Sequence, residues 1–343
     1  MVKVLTVDDS VFMRTVIRDM LTKDPSIEVV GTASNGIDAL EKIQSLNPDI
    51  VTLDIEMPKM NGLEVLRELQ KVKRRPKILM LSSLTSKDAE ATHEAIRLGA
   101  DDFMLKPKDL PHVRDIGEEL VAKVKHLISL PTSVIPKKTT THPGAAERVV
   151  LIGSSAGGPP MLDTLLAAIS PDINAGIIVT QHMPTGFTAA LAERFNRIAP
   201  LPVKETENGD IVETGKILLS KAGVHTVVSG VIEQSGAKTG RIVHSNAPPL
   251  HGVRPAVDKT FESASHVYGK NIVSVILSGM GNDAGDGAHA VKMAGGVSLI
   301  CDEKDCLVYG MARSALAKDA VDKVLPLNKL AKEIERVVAH MEG

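Results

Sequence analysis

Val149-Val150-Leu151-Ile152-Gly153-Ser154-Ser155-Ala156-Gly157-Gly158-Pro159-Pro160 is a β-branched apolar run that stops abruptly at a cluster of small residues. A helical pattern resumes at Met161, so the segment reads as strand, tight turn, helix. Gly153, Ser155 and Gly157 fit G-x-S-x-G, in which the glycines allow a sharp turn and present the serine hydroxyl beside the first free N–H groups of a helix. Such N–H groups can hold an oxyanion. A glycine-rich turn at a helix N-terminus also cradles phosphate, but the dinucleotide fingerprint needs glycine at its third place, where Ser155 stands. On this stretch alone a nucleophile, a phosphate loop and a plain structural turn all stay open.

At 343 residues the chain has room for two domains of ordinary size, and 43% hydrophobic with 24% charged residues is a globular composition. A net charge of −2 offers no general basic field for nucleic acid or an anionic membrane, and 2% aromatics without Trp leave few platforms for stacking bases. No nucleic-acid partner is expected. Met1-Val2-Lys3-Val4-Leu5 enters a strand at once, without the charged and apolar regions of a signal peptide, and no apolar run approaches the ~20 residues of a spanning helix. A cytoplasmic protein without membrane insertion is expected. Cys301 and Cys306 are too few for a structural zinc site and are expected to be reduced thiols.

From Val2 to about Leu127, apolar runs at Val2–Val7, Glu28–Gly31, Ile50–Leu53, Ile78–Leu81 and Asp102–Leu105 alternate with amphipathic segments near Phe12–Lys23, Gly36–Ser45, Gly62–Lys71, Lys87–Leu98 and Val113–Leu127. Five such repeats predict a doubly wound parallel sheet, which binds ligands beyond the carboxyl ends of its strands. Asp8 and Asp9, Asp54, Ser82 and Lys106 stand at those ends. Carboxylates converging on one crevice repel each other unless a hard divalent cation such as Mg²⁺ neutralises them. An acidic crevice that merely aids solubility would not account for Lys106 and a hydroxyl at matching strand ends.

Residues 1–127 resemble a response-regulator receiver domain. The resemblance rests on Val7-Asp8-Asp9-Ser10, Leu53-Asp54-Ile55-Glu56-Met57-Pro58-Lys59-Met60-Asn61-Gly62, Leu81-Ser82-Ser83 and Phe103-Met104-Leu105-Lys106-Pro107. It implies Asp54 as phosphoacceptor, with Mg²⁺ held by the Asp9 and Asp54 side chains and the Glu56 carbonyl and with Asp8 in the same acidic set. It further implies Ser82 and Lys106 on the phosphoryl oxygens, Phe103 as a rotating aromatic, and a histidine kinase as phosphodonor. A carboxylate attacking phosphorus needs a metal and a lysine to disperse charge on the transferring oxygens.

Residues 128–147 are rich in Pro, Thr and Lys without periodicity and read as a linker. Residues 148–343 again alternate strands and helices, predicting a second, Rossmann-like α/β domain with a mostly parallel sheet. Strands are expected at Gly176–Val179, Ile272–Leu277, Val297–Cys301 and Val321–Leu325. Shorter strands near Lys216–Ser220, Thr226–Val231 and Arg241–Val243 suggest hairpins. Helices are expected near Thr188–Ile198, near Ala256–Tyr268 and from Leu327.

Ser155, His182 and Asp283 each follow a strand, where one crevice is expected. Serine is a poor nucleophile unless a histidine takes its proton and a carboxylate fixes the imidazole tautomer. Taken singly, a strand-end His is more often structural and an Asp at a helix start more often an N-cap. Asp286, about one helical turn on, is the alternative acid.

Residues 148–343 resemble the catalytic domain of chemotaxis protein-glutamate methylesterases. Ile152-Gly153-Ser154-Ser155-Ala156-Gly157-Gly158, Gln181-His182-Met183-Pro184, Arg254-Pro255-Ala256-Val257-Asp258, Leu277-Ser278-Gly279-Met280-Gly281-Asn282-Asp283 and Val308-Tyr309-Gly310-Met311 carry that resemblance. It implies Ser155, His182 and Asp283 as a catalytic triad, Met280 and Ala156 N–H groups as oxyanion donors, and chemoreceptor glutamate methyl esters, with selected glutamines, as substrates. It also implies that the unphosphorylated receiver covers the active-site face until Asp54 is phosphorylated. Two departures stand out: Ala156 follows the nucleophile where the family commonly has Thr, and Asp283-Ala284-Gly285 replaces Asp-Gly-Ala, which leaves the backbone path after Asp283 open. The competing readings are a non-catalytic regulator whose second domain binds a nucleotide or partner, and a serine hydrolase of small esters, since fold and triad do not set substrate.

Overall fold

The computed structural model describes residues 1–72, 75–82, 94–95, 98–106, 113–129, 144–232 and 238–341. The chain divides into two compact units, Met1–Pro131 and Thr132–Gly343. The expected linker lies largely outside the described residues, as does most of the helix expected near Lys87–Leu98.

In the first unit, strands β1 (Val2–Val7), β2 (Ile27–Ala33), β3 (Ile50–Asp54), β4 (Lys77–Ser82) and β5 (Asp102–Leu105) form one sheet in the order β2-β1-β3-β4-β5. Every pairing is parallel. All five residues of β3 are buried, as a strand covered on both faces requires. The helices are α1 (Val11–Leu21), α2 (Gly36–Leu46), α3 (Gly62–Leu69) and α4 (Val113–Ser129). Asn61 and Glu64 form a reciprocal capping box that starts α3 just after the Asp54 loop.

The second unit holds seven parallel strands in the order β14-β13-β12-β6-β7-β9-β8: β6 (Val149–Ser154), β7 (Gly176–Gln181), β8 (Val203–Glu205), β9 (Ile217–Leu219), β12 (Ile272–Ile276), β13 (Val297–Cys301) and β14 (Lys323–Leu325). The sheet is wholly parallel rather than mostly so. Only β10 (His225–Ile232) and β11 (Lys238–Ser245) form a hairpin among the described residues. The segment near Lys216–Ser220, expected to belong to hairpins, instead joins the main sheet as β9, because three buried residues next to β7 gain a ladder on both sides.

The helices of this unit are α5 (Gly158–Ala168), α6 (Thr188–Ile198), α7 (Val257–Tyr268), α8 (Gly285–Met293), α9 (Gly310–Ala317) and α10 (Leu327–His340). In α10, Leu327, Leu330, Ala331, Ile334, Val337 and Val338 form the buried stripe that a 3.6-residue period demands.

The strand order places β6 at the point where the chain changes direction across the sheet. From β6 it runs through β7 to the edge strand β8 and back to β9 between them, then crosses to the other side of β6 as β12, β13 and β14. Crevices in open parallel sheets form at that switch, beyond the carboxyl ends of the strands. Close approach there depends on Gly153, since a Cβ on it would lie 2.6 Å from Val257 Cγ1 at the start of α7. Phe261, one turn further along α7, is fully buried in the core below. Phe261→Ala should therefore lower the unfolding free energy by about 3–5 kcal/mol, read from urea denaturation followed by circular dichroism.

Candidate active site

β12, β6 and β7 are adjacent, so the turns after them converge. The turn after β6 carries Ser155, the turn after β7 carries His182 and the turn after β12 carries Asp283.

The turn that carries Ser155 is held by its backbone. Ser155 N–H donates to Ser278 O at 2.9 Å, and Ser278 Oγ donates to Ala156 O at 2.6 Å. Gly158 N–H closes the turn on Ser155 O at 2.9 Å. Gly157 enters α5 at φ +76, a conformation favouring glycine, and caps it without a side-chain hydrogen bond. Gly158 is equally constrained, since a Cβ there would stand 2.2 Å from Gln181 Oε1.

Gln181 ties the first two turns together. Its Nε2 donates to Ser155 O and to His182 O, both at 2.9 Å, while its Oε1 accepts from the buried Ser154 Oγ at 2.6 Å. His182 N–H also donates to Ser154 O at 3.0 Å. The sequence signal for this role was a lone amide side chain at the end of an apolar strand, quoted in a motif but given no part in it.

Asp283 is the most connected group in the site. Its Oδ2 accepts from His182 Nε2 at 2.7 Å and from Val257 N–H at 2.6 Å; its Oδ1 accepts from Asp258 N–H at 2.8 Å and Ala284 N–H at 3.0 Å. The carboxylate thus takes the first two N–H groups of α7, a helix whose own cap, Ala256, offers no side-chain acceptor. Burial pushes the Asp283 carboxyl upward, but the hydrogen bond and charge of His182 and the N–H groups of Asp258 and Val257 outweigh it and hold the group below its usual range. Asp283 is therefore a buried carboxylate whose surroundings favour its anion. The two readings of it merge, because it is a helix cap and the partner of His182 at once, though for α7 rather than for the helix that follows it.

With a carboxylate on Nε2, the imidazole proton sits there and Nδ1 is the free lone pair. Triads are commonly described with the opposite nitrogen on the acid. No hydrogen bond joins Ser155 Oγ to His182 among the described residues. Catalytic hydrogen bonds in ligand-free sites are often long and tighten only around substrate. Asp286, the alternative acid, is exposed and pairs with Lys318 at 2.7 Å.

The Ala156 and Met280 N–H groups donate to no protein group among the described residues, and the Met280 side chain is exposed at 69%. The turn bearing Met280 lies against Ser155: a Cβ on Gly279 would stand 2.9 Å from Ser155 Cβ. After Asp283 the backbone takes a left-handed turn at Ala284, φ +81, in place of the glycine of the related pattern. That turn costs an alanine on the order of 1–2 kcal/mol and points the Ala284 N–H back at its neighbour's carboxylate.

The first unit carries a second cluster. Asp8, Asp9 and Asp54 each offer a carboxylate oxygen within 4.8 Å of the others. Lys106 Nζ pairs with Asp54 Oδ2 at 2.7 Å and Asp8 Oδ2 at 2.8 Å. Burial, with Asp8 and Asp9 adding to it and Lys106 opposing it, pushes Asp54 up to about 6. An all-oxygen set with surplus negative charge fits a hard divalent cation such as Mg²⁺. Glu56 is exposed just past β3, Phe103 is half-buried on β5, and Ser82 ends β4 opposite Leu105, its side chain lying outside the described residues.

Two region models match the chain: "CheB methylesterase" over residues 150–334 and "Response regulator receiver domain" over residues 4–116. A protein of Methanospirillum hungatei named protein-glutamate methylesterase/protein-glutamine glutaminase 1 is 53% identical over the whole of both chains. One of Pyrococcus abyssi named protein-glutamate methylesterase/protein-glutamine glutaminase is 38% identical over all of this chain and 95% of its own. The crystal structure of the Thermotoga maritima CheB methylesterase catalytic domain matches at a TM-score of 0.53 and 36% identity, covering 56% of this chain and 98% of that one.

Two outcomes follow from this geometry. Gln181→Leu keeps the volume but removes both donated hydrogen bonds and strands Ser154 Oγ, so the turnover number should fall on the order of 10²-fold with KM little changed. Asp54 has a folded pKa of about 6, above the 3.8 of an unperturbed aspartate. The native state therefore keeps a proton that the unfolded chain has released. The stabilisation is full below about pH 4 and is lost as pH rises through 6, at most about 3 kcal/mol. Urea unfolding of the first unit between pH 4 and 7 should show that slope, and Asp54→Asn should flatten it. This chain belongs to the CheB methylesterase family and carries, ahead of the methylesterase region, a response regulator receiver domain.

Proposed function

We propose that this chain hydrolyses glutamate methyl esters on chemoreceptor cytoplasmic helices, in adaptation of chemotaxis, under the control of phosphorylation at Asp54. The observation that carries this reading is the Asp283 carboxylate, which fixes the His182 imidazole at 2.7 Å beside the turn that presents Ser155. The names borne by the relatives from Methanospirillum and Pyrococcus support the substrate class.

Ser155 Oγ attacks the γ-carbonyl carbon and gives its proton to His182 Nδ1. The carbonyl oxygen becomes an oxyanion held by the Ala156 and Met280 N–H groups. The imidazolium, steadied by Asp283, returns the proton to the methoxy oxygen, the C–O bond breaks and methanol leaves. Water then attacks the glutamyl-serine ester, His182 takes its proton and passes it back to Ser155, and a free glutamate side chain departs. A glutamine side chain passes through a similar oxyanion and loses ammonia, consistent with the second activity in the relatives' names.

In the first unit, Asp9, Asp54 and the Glu56 carbonyl, with Asp8 behind them, would hold Mg²⁺. When bound, the ion disperses charge on the transferring phosphoryl oxygens. Asp54 accepts the phosphoryl group from a histidine kinase, Lys106 and Ser82 meet its oxygens, and Phe103 responds to the change. The added charge shifts the state of the chain and raises the esterase rate.

The test is methanol release from methylated receptor cytoplasmic fragments. Ser155→Ala should lower the rate by at least about 10³-fold, and retained activity would contradict the reading. A small phosphodonor with Mg²⁺ should stimulate the wild type and leave Asp54→Asn unstimulated; equal stimulation of both would remove Asp54 from the account.

A further inference from the structure

Behind Asp283 lies a second imidazole–carboxylate pair that the reaction above does not use. Asp258, the second residue of α7, is 2% exposed. Its Oδ1 accepts from Gly287 N–H on α8 at 2.6 Å, and its Oδ2 meets His251 Nε2 at 2.9 Å. Its own N–H donates to Asp283 Oδ1. His251, Asp258 and Asp283 each present an atom within 4.8 Å of the others. The order of groups is therefore His182, Asp283, Asp258, His251, from the cleft back to solvent, since the His251 side chain is 31% exposed.

The backbone is bent to put His251 there. It holds φ +53 and Gly252 follows at φ +78, in a turn closed by reciprocal Leu250 and Val253 hydrogen bonds of 3.1 and 3.0 Å. A cation in this cluster would have to displace donors, because both Asp283 oxygens already accept two hydrogen bonds each. What the cluster has instead is two buried carboxylates side by side with a histidine at each end.

We propose that the His251–Asp258 pair sets the basicity of His182 by keeping a second negative charge behind Asp283, which makes His251 and Asp258 positioning residues for the hydrolysis. This rests on the reading of Ser155, His182 and Asp283 as the catalytic set. Asp258 is the titrating member: burial and the Asp283 charge push it up to about 6, against the Gly287 N–H and His251, which favour its anion. Lys318, just past the end of α9, feels its field while paired with Asp286, His225 on β10 has both ring nitrogens engaged by Ala256 N–H and Pro248 O, and Lys259 on α7 stands 4.0 Å from Glu262. An ionised Asp258 favours the His182 imidazolium, and a neutral one disfavours it. His251 is wet enough that its own charge reaches His182 only weakly.

The experiment is the pH profile of kcat/KM for methanol release by the full chain, whose acid limb reports His182 together with the carboxylates coupled to it in the free enzyme. Asp258→Asn keeps an acceptor for Gly287 but carries no charge, so the acid limb should move about one pH unit lower. His251→Phe removes the donor that favours the Asp258 anion, and should move the limb the same way. His251→Gln restores a donor and should bring it back toward the wild-type position. The double variant Asp258→Asn/His251→Phe should shift no further than Asp258→Asn alone, because both act on one charge.

Circular dichroism and thermal unfolding establish that each variant is folded; should Asp258→Asn fail to fold, the His251→Phe and His251→Gln pair reads the same charge from the solvent side. Limbs that coincide with wild type while rates fall would make the pair a brace for α7 and overturn the proposal. Ser155→Ala separates the two readings: lost activity there with unmoved limbs sinks only the charge-setting role, whereas retained activity sinks the catalytic set itself.

Discussion

A single buried carboxylate organises the second unit's cleft. Asp283 accepts four hydrogen bonds from three different parts of the chain: the His182 ring, the first two amides of α7, and its own neighbour Ala284. Remove it and α7 begins with uncapped N–H groups, the imidazole loses the partner that fixes its proton on Nε2, and the left-handed turn at Ala284 has nothing to aim at. Burial pushes the acid upward, but the His182 hydrogen bond and charge, with the two α7 amides, hold it below its usual range. Structure and chemistry here have the same cause.

The same chain carries a buried carboxylate with the opposite fate. Burial pushes Asp54 up to about 6, with Lys106 opposing the rise and Asp8 and Asp9 adding to it. Asp283 has both oxygens filled by two donors each; Asp54 shares one ammonium with a second carboxylate. The first arrangement suits a fixed anion that orients an imidazole, the second a group awaiting a divalent cation and an incoming phosphoryl group. Burial is common to both, so the neighbours decide.

The convergence of Ser155, His182 and Asp283 was legible because each residue follows an apolar run, and parallel strands end at one edge. What the sequence did not carry was the lateral order β12-β6-β7, which makes the three turns neighbours, because crossover directions leave no mark on the strands themselves. Gln181 was visible only as a polar residue ending β7, and its clamp on two turns needed coordinates. Strand β8 is three residues long and α9 eight, too short for periodicity to declare them. The strand expected near Lys216–Ser220 is present as β9, but its Gly and polar neighbours suggested a hairpin where the pairing is parallel, with β7 and β8. Which histidine nitrogen faces the acid, and that Asp258 backs it, depend on angles between α7 and the β12 turn that no local pattern encodes.

In the proposed reaction Ser155 is made nucleophilic by an imidazole that Asp283 holds in one tautomer. A serine-directed phosphonate reads this without any receptor substrate, through the rate at which the Ser155 peptide gains the adduct by mass spectrometry. The account predicts one labelled peptide, containing Ser155, and labelling on the order of 10³-fold slower in Asp283→Asn. Equal labelling rates in wild type and Asp283→Asn, or an adduct on some other residue of an active enzyme, would contradict it.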